Sequence, residues 1–264
     1  MNKVIRAEFG RTINAGLIIA IAGIIFSICF DSFNDLIAGL RNGQGYVGYF
    51  FSNAAFGGMC TKYMLPVFTA LPFSVSLCQE RNNKAVSYIV SREGKNRYIF
   101  AKFIVSAISG GFVAACGTVL LFLMLAMRFP IAGDEFEGAV VSDYFHEWSA
   151  VYYPQLYILT LSILAFCRGV IWSSLALCVS LYTSDFMVVL LSPFLGSYVL
   201  VRIFQIIRVP DMVRPDMILI GQVVIKSSGL TLIIAIAISH TIVTLIGAFF
   251  VGKMKEGLKS GTIY

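Results

Sequence analysis

Residues 103–127 run without a single charged side chain, and residues 227–252 carry none beyond the neutral His240. At 1.5 Å of rise per residue, either stretch as a helix can cross the roughly 30 Å hydrocarbon core of a bilayer. Other charge-poor stretches recur along the chain: 12–30, then 42–61 and 63–79 parted only by Lys62. Residues 148–167 and 169–184 are parted only by Arg168, and 186–201 extends past Arg202 to Ile207. Backbone polar groups inside a bilayer must be satisfied within the segment, which favours helices for runs of this length. Composition agrees: 58% of residues are apolar and 13% charged, against about 45–50% and about 25% in soluble domains. The expectation is an all-α integral membrane protein, a single transmembrane domain over residues 1–264. Six transmembrane helices are expected at about 14–30, 54–78, 101–127, 155–182, 186–207 and 229–251.

The net charge of +6 reads here as a topology signal and not as a nucleic-acid footprint. Lys and Arg concentrate in residues 1–14, 79–102 and 252–264, while acids dominate the alternate connections, above all Asp134, Glu135, Glu137, Asp143 and Glu147. The positive-inside rule then places both termini in the cytoplasm of a multi-pass cell-membrane protein. Trp148, Tyr152, Tyr153 and Tyr157 suit an aromatic belt at the outer interface. The first span begins too late and lacks the small-residue cleavage site of a signal peptide, so it reads as retained. Met1, Ile5, Phe9 and Ile13 share one face of a leader whose basic residues lie off that stripe, the pattern of an N-terminal interfacial amphipathic helix. Residues 217–225 (MILIGQVVI) are too short to span and read as a re-entrant or interfacial segment before the last helix.

No catalytic constellation is present in the sequence. Gly94-Lys95 is followed by Asn96, and Ile89 stands where a phosphate-binding loop needs its first glycine. HExxH, GxSxG and CxxC are absent, the six cysteines fall in or beside apolar runs, and the two histidines are far apart. No metal site or disulfide framework is therefore expected. No Asp or Glu falls within the six spans, which speaks against carboxylate proton relays. Lys62 and Arg202 lie close enough to span ends to snorkel. Arg168 sits near the middle of its span, where insertion costs about 2.5–3.5 kcal/mol. It either contacts an anionic or polar group in a pathway or bonds to carbonyls and hydroxyls near Thr160, Ser162 or Ser173. His240, between Ser239 and Thr241, is a second pathway candidate or a packing residue. Pro66, Pro72 and Pro193 are expected to interrupt spans two and five, and Ser109-Gly110-Gly111 reads as a small-residue packing site.

The segment from Ser74 to Ala107 is the most informative. A span runs into Gln79-Glu80-Arg81, followed by an amphipathic stretch, Ser91-Arg92, a polar turn, and the next span. Glu80, Arg81, Lys84, Ala85, Ser91, Arg92, Arg97, Tyr98, Ala101 and Lys102 resemble the loop between the second and third spans of ABC-2 type transporter permeases. Ala85-Val86 stands where that family usually has Gly-Thr. The basic leader, the stretch Trp172–Leu195 and the patch at 217–225 resemble further parts of the family's layout. The resemblance implies a non-enzymatic transport subunit of the cell inner membrane that pairs with a second permease copy or paralogue. ATP and Mg would be bound by separate soluble ABC ATPase subunits, with no cofactor in this chain. It implies an ATPase-coupling helix over about Gln79–Val90, with Glu80, Arg81, Lys84, Val86, Tyr88, Ile89 and Arg92 as contact candidates. Apolar, charge-poor spans favour export of a hydrophobic or amphipathic cargo such as a peptide, lipid or drug-like molecule. The alternatives are an immunity or sensory complex on the same scaffold, and an ATP-independent carrier or channel.

Overall fold

A computed structural model describes residues 2–42, 47, 50, 58–131, 154–221, 223, 225 and 227–260. The described residues are helical, joined by turns, with no strand among them. The helices are α1 (Asn2–Thr12), α2 (Ala15–Asp31), α3 (Phe33–Asn42), α4 (Met59–Ala70), α5 (Ser76–Asn82) and α6 (Val86–Glu93). They continue as α7 (Lys95–Ala126), α8 (Pro154–Val179), α9 (Phe186–Ile207), α10 (Pro215–Ile220) and α11 (Ser228–Ser260). Four of them, α7, α8, α9 and α11, are long and apolar enough to cross a membrane. A fifth is reached if α1 and α2, bent by 56° at residues 13–14, are taken together. At 32 residues, α7 is about 48 Å long.

The stretch expected as a second span is not one helix. Residues 54–57 lie outside those described, α4 is 12 residues long, and a turn over 71–75 separates it from α5. Pro72 sits in that turn, where its missing N–H and fixed φ stop helix propagation. Pro66 and Pro193, by contrast, lie inside continuous helices. The acidic connection and Trp148, Tyr152 and Tyr153 lie outside the described residues. Tyr157 is 2% exposed in the main core, so it packs inward and is not part of an exposed aromatic belt. Its neighbours in that core explain the difference: Leu161, Leu164 and Ala165 share its face of α8.

Helices α7 and α8 form the most extensive pair. A Cβ on Gly169 would stand 2.4 Å from the carbonyl oxygen of Gly110, so here the two backbones touch. The small-residue stretch at 109–111 thus does the packing expected of it. Beside this contact the hydroxyls of Ser74, Ser106 and Ser173 lie 3.0–3.1 Å apart. The Ser173 hydroxyl donates to the Ser106 carbonyl at 2.6 Å, and the three residues tie the 71–75 turn to both long helices. At the far end of α2, the Asp31 carboxylate accepts from the backbone N–H groups of Cys60 (2.9 Å) and Thr61 (2.6 Å). A carboxylate on the orphan amides of a helix start is favourable both as hydrogen bonding and against the helix dipole. It fixes where α4 begins.

Three apolar clusters result, a small one of Ala70, Val75, Cys78, Ala176 and Val189 and two more extensive ones. The larger joins α2, α7, α8 and α10 through residues such as Ile24, Val113, Leu164 and Ile218. The second lies at the end of the bundle that carries α5 and α6, and joins Leu77, Val86, Val90, Ile99, Leu177, Phe250 and Met254. The patch expected at 217–225 opens as the short helix α10, with Ile218, Leu219 and Ile220 buried, and stops at Gly221, whose φ of 86° is left-handed. Residues 222 and 224 lie outside the described set.

Candidate functional site

The α5–α6 segment is held by polar contacts to three distant parts of the chain. α1 turns sharply into α2 because Asn14 caps α2, accepting from Leu17 N–H, while its side-chain amide donates to the Arg11 carbonyl. This elbow lays α1 across the start of α7 with Val4, Glu8 and Thr12 buried. The apolar stripe read from the sequence is therefore not the packed face: Ile5 and Phe9 are half-buried and Ile13 is 78% exposed. The reason is Glu8, whose partners lie inward.

Lys102, fully buried on α7, donates to Glu80 Oε1 at 2.7 Å, to Glu8 Oε2 at 3.1 Å and to Ser76 Oγ at 3.2 Å. An ammonium group has three protons, so Lys102 is saturated. Its Nζ also lies 4.7 Å from the centre of the Phe73 ring, a favourable cation–π placement. Arg11 donates to Glu80 Oε1 at 2.6 Å and to Glu8 Oε1 at 3.3 Å. The Tyr98 hydroxyl donates to Glu80 Oε2. Two carboxylates and two cations make a neutral cluster, which is the condition for burying charge at tolerable cost.

Arg81 points the other way. Its guanidinium donates to the carbonyls of Ser180 (2.9 Å) and Leu181 (3.2 Å), just beyond the C-terminal end of α8, where positive charge complements the helix dipole. Asn82 donates to the Ser184 carbonyl at 3.2 Å. Neighbouring residues of α5 thus bind the α1–α7 corner on one side and the α8–α9 turn on the other.

The chain then reverses. Lys84 takes a left-handed conformation, φ 52°, and the Ala85 N–H donates to the Glu80 carbonyl at 2.9 Å. α6 lays Val86 and Val90 into the second core and leaves Ser87, Tyr88, Ser91 and Arg92 exposed. Gly94, at φ 85°, ends α6 and starts α7, a conformation glycine adopts without strain. Among the residues expected at the coupling surface, Lys84, Tyr88 and Arg92 are exposed, and Ile89 is half-buried. Val86 and Glu80 are buried within the chain itself, and Arg81 is half-buried. Among the described residues, Arg92 pairs only with its neighbour Glu93, at 2.9 Å.

Arg168 is separate from this cluster. Thr160, Ser162 and Ser173, read from the sequence as possible partners, bond instead to the carbonyls of Leu156, Ile158 and Ser106. Among the described residues the buried Arg168 Nε has no hydrogen-bond partner, nor has Thr61 Oγ1. Both residues line one void of about 20 Å³, space for a single water. His240 is exposed on α11, whereas its neighbour Ser239 is buried and donates to the Cys167 carbonyl at 3.3 Å. All six cysteines are free thiols, and no cluster of His, Cys, Asp and Glu among the described residues has metal-binding geometry.

Comparison with protein families, characterised proteins and solved structures finds no match to the chain.

Proposed function

We propose that this chain is the membrane-spanning permease subunit of an ABC-2 type transporter. Separate soluble subunits would hydrolyse ATP, a second permease would complete the complex, and a hydrophobic or amphipathic cargo would be exported. One observation carries the reading. α6 offers Tyr88 and Arg92 to solvent, and the turn before it offers Lys84, while the adjoining α5 is bonded to α1, α7 and the α8–α9 turn through Glu80 and Arg81. A coupling element needs both properties, a free face for the ATPase and stiff connections to the helices it must move. The family resemblance of residues 79–102 supports the same assignment.

The reading predicts that a soluble Walker-motif ATPase is encoded beside this chain and co-purifies with it. A Tyr88→Ala/Arg92→Glu variant should lose that recovery while keeping its thermal unfolding temperature, because both side chains are exposed and surface substitutions usually change stability by less than about 0.5 kcal/mol. Equal recovery with the variant and the unaltered chain would remove α6 as the docking face. The orientation is tested separately in a cysteine-free background. Lys95→Cys should be labelled only from the cytoplasm and Ala139→Cys only from outside, and the reverse pattern would overturn the topology.

A further inference from the structure

A cavity of about 170 Å³ lies among α4, α8, α9, α10 and α11. Its walls are apolar, with Leu65, Trp172, Leu200 and Ile246 among them, except for Lys62, Arg168, Asp216 and Ser197. The charges do not balance. Asp216 is held by Arg214 through two hydrogen bonds, 2.8 and 3.2 Å long. Arg168 and Lys62 enter none of the salt bridges among the described residues. Among the described residues, no hydrogen bond is made by the Arg168 guanidinium.

An unanswered guanidinium beside hydrocarbon walls calls for a ligand with both characters. We propose that this cavity binds an amphipathic anion, a carboxylate or phosphate head on an apolar chain. Arg168 pairs with the head, since its planar fork matches two oxygens of either group. Lys62 adds a second positive charge, and Trp172 and Leu200 cover the first carbons of the tail. As the cargo class of the permease this rests on the function proposed above; as a binding site it does not.

Trp172 makes the test direct, because it lines the cavity and the chain has only 2 tryptophans. Trp148→Phe leaves it as the sole indole reporter. The purified full chain with that substitution is titrated with dibromostearate, whose bromines quench indole fluorescence on contact, and in parallel with its uncharged methyl ester. The acid should quench saturably and the ester only in proportion to its partitioning. Arg168→Gln should weaken the saturable phase at least about tenfold, the scale of a lost charge-assisted hydrogen bond, and Arg168→Lys, which keeps the charge but not the fork, should recover only part of it. In nanodiscs, dibrominated phosphatidylglycerol distinguishes the sources. If it quenches saturably and excludes dibromostearate, the anion is a bilayer phospholipid; if dibromostearate displaces it, the anion is a free amphiphile. Either result supports the site. Indistinguishable quenching by acid and ester, with Arg168 unaltered, would overturn it, and that comparison needs no substitution in the cavity. Saturable quenching in a chain that recovers no ATPase would leave the site standing and remove the transporter.

Discussion

Glu80→Ala is expected to cost the fold about 3–5 kcal/mol, the range for removing one partner of a buried ion pair. The loss is large because Glu80 accepts three bonds at once, from Arg11, Lys102 and Tyr98. Lys102 is 0% exposed and would be left with Glu8 as its one acid. Arg11 behaves differently, since its side chain is 52% exposed. Water screens that pair, and Arg11→Ala should cost about 1 kcal/mol or less. The check is thermal unfolding of the purified chain followed by size-exclusion chromatography. A Glu80→Gln/Lys102→Met pair keeps the cluster neutral, leaving Glu8 with Arg11, and should regain most of the loss. An unfolding temperature unchanged by Glu80→Ala would sink the cluster as a structural element.

Gly169→Val is the second large effect. Its Cβ alone would stand 2.4 Å from the Gly110 carbonyl oxygen and 2.9 Å from the Gly111 Cα. These are backbone atoms that no rotamer change can move, so α7 and α8 must separate. Forced overpacking costs about 1–3 kcal/mol in cores that can shift side chains, and here the upper end or more is expected. The separation would also pull apart Ser106 and Ser173, whose hydroxyls are 3.0 Å apart. Gly252→Ala is the control, since nothing lies within 4 Å of the Cβ position and alanine favours the helix by about 0.8–1 kcal/mol. If Gly169→Val unfolded at the same temperature as Gly252→Ala, the backbone contact would be refuted.

Apolar length is a local property, and so α7, α8, α9 and α11 could be read from charge-free runs. The split of 54–78 into α4 and α5 was harder to see. Pro66 and Pro72 look alike in sequence, yet one lies inside a helix and the other in the turn. The charge cluster was not legible at all. Glu8 and Lys102 are 94 positions apart, and Arg11 and Glu80 are 69 apart. No periodicity links such pairs. The protein-facing side of the leader was illegible for a related reason. Its apolar stripe is separate from the line Val4, Glu8 and Thr12, which is buried in the protein because a carboxylate there meets an ammonium from α7. Arg168 was the reverse case. One arginine in an otherwise apolar span stood out from sequence alone, although the cavity around it needed five helices to define.

The separation between Glu8 and Lys102 also sets an order of events during synthesis. α1 and α2 leave the ribosome well before residue 102 exists, and for that interval Glu8 has only the half-exposed Arg11 as a partner. The N-terminal helix therefore cannot dock until α7 is being made. Glu80 emerges between them with the same requirement. Lys102 thus joins two earlier helices, α1 and α5, in one step, and the making of α7 is the moment at which those two become committed to their arrangement.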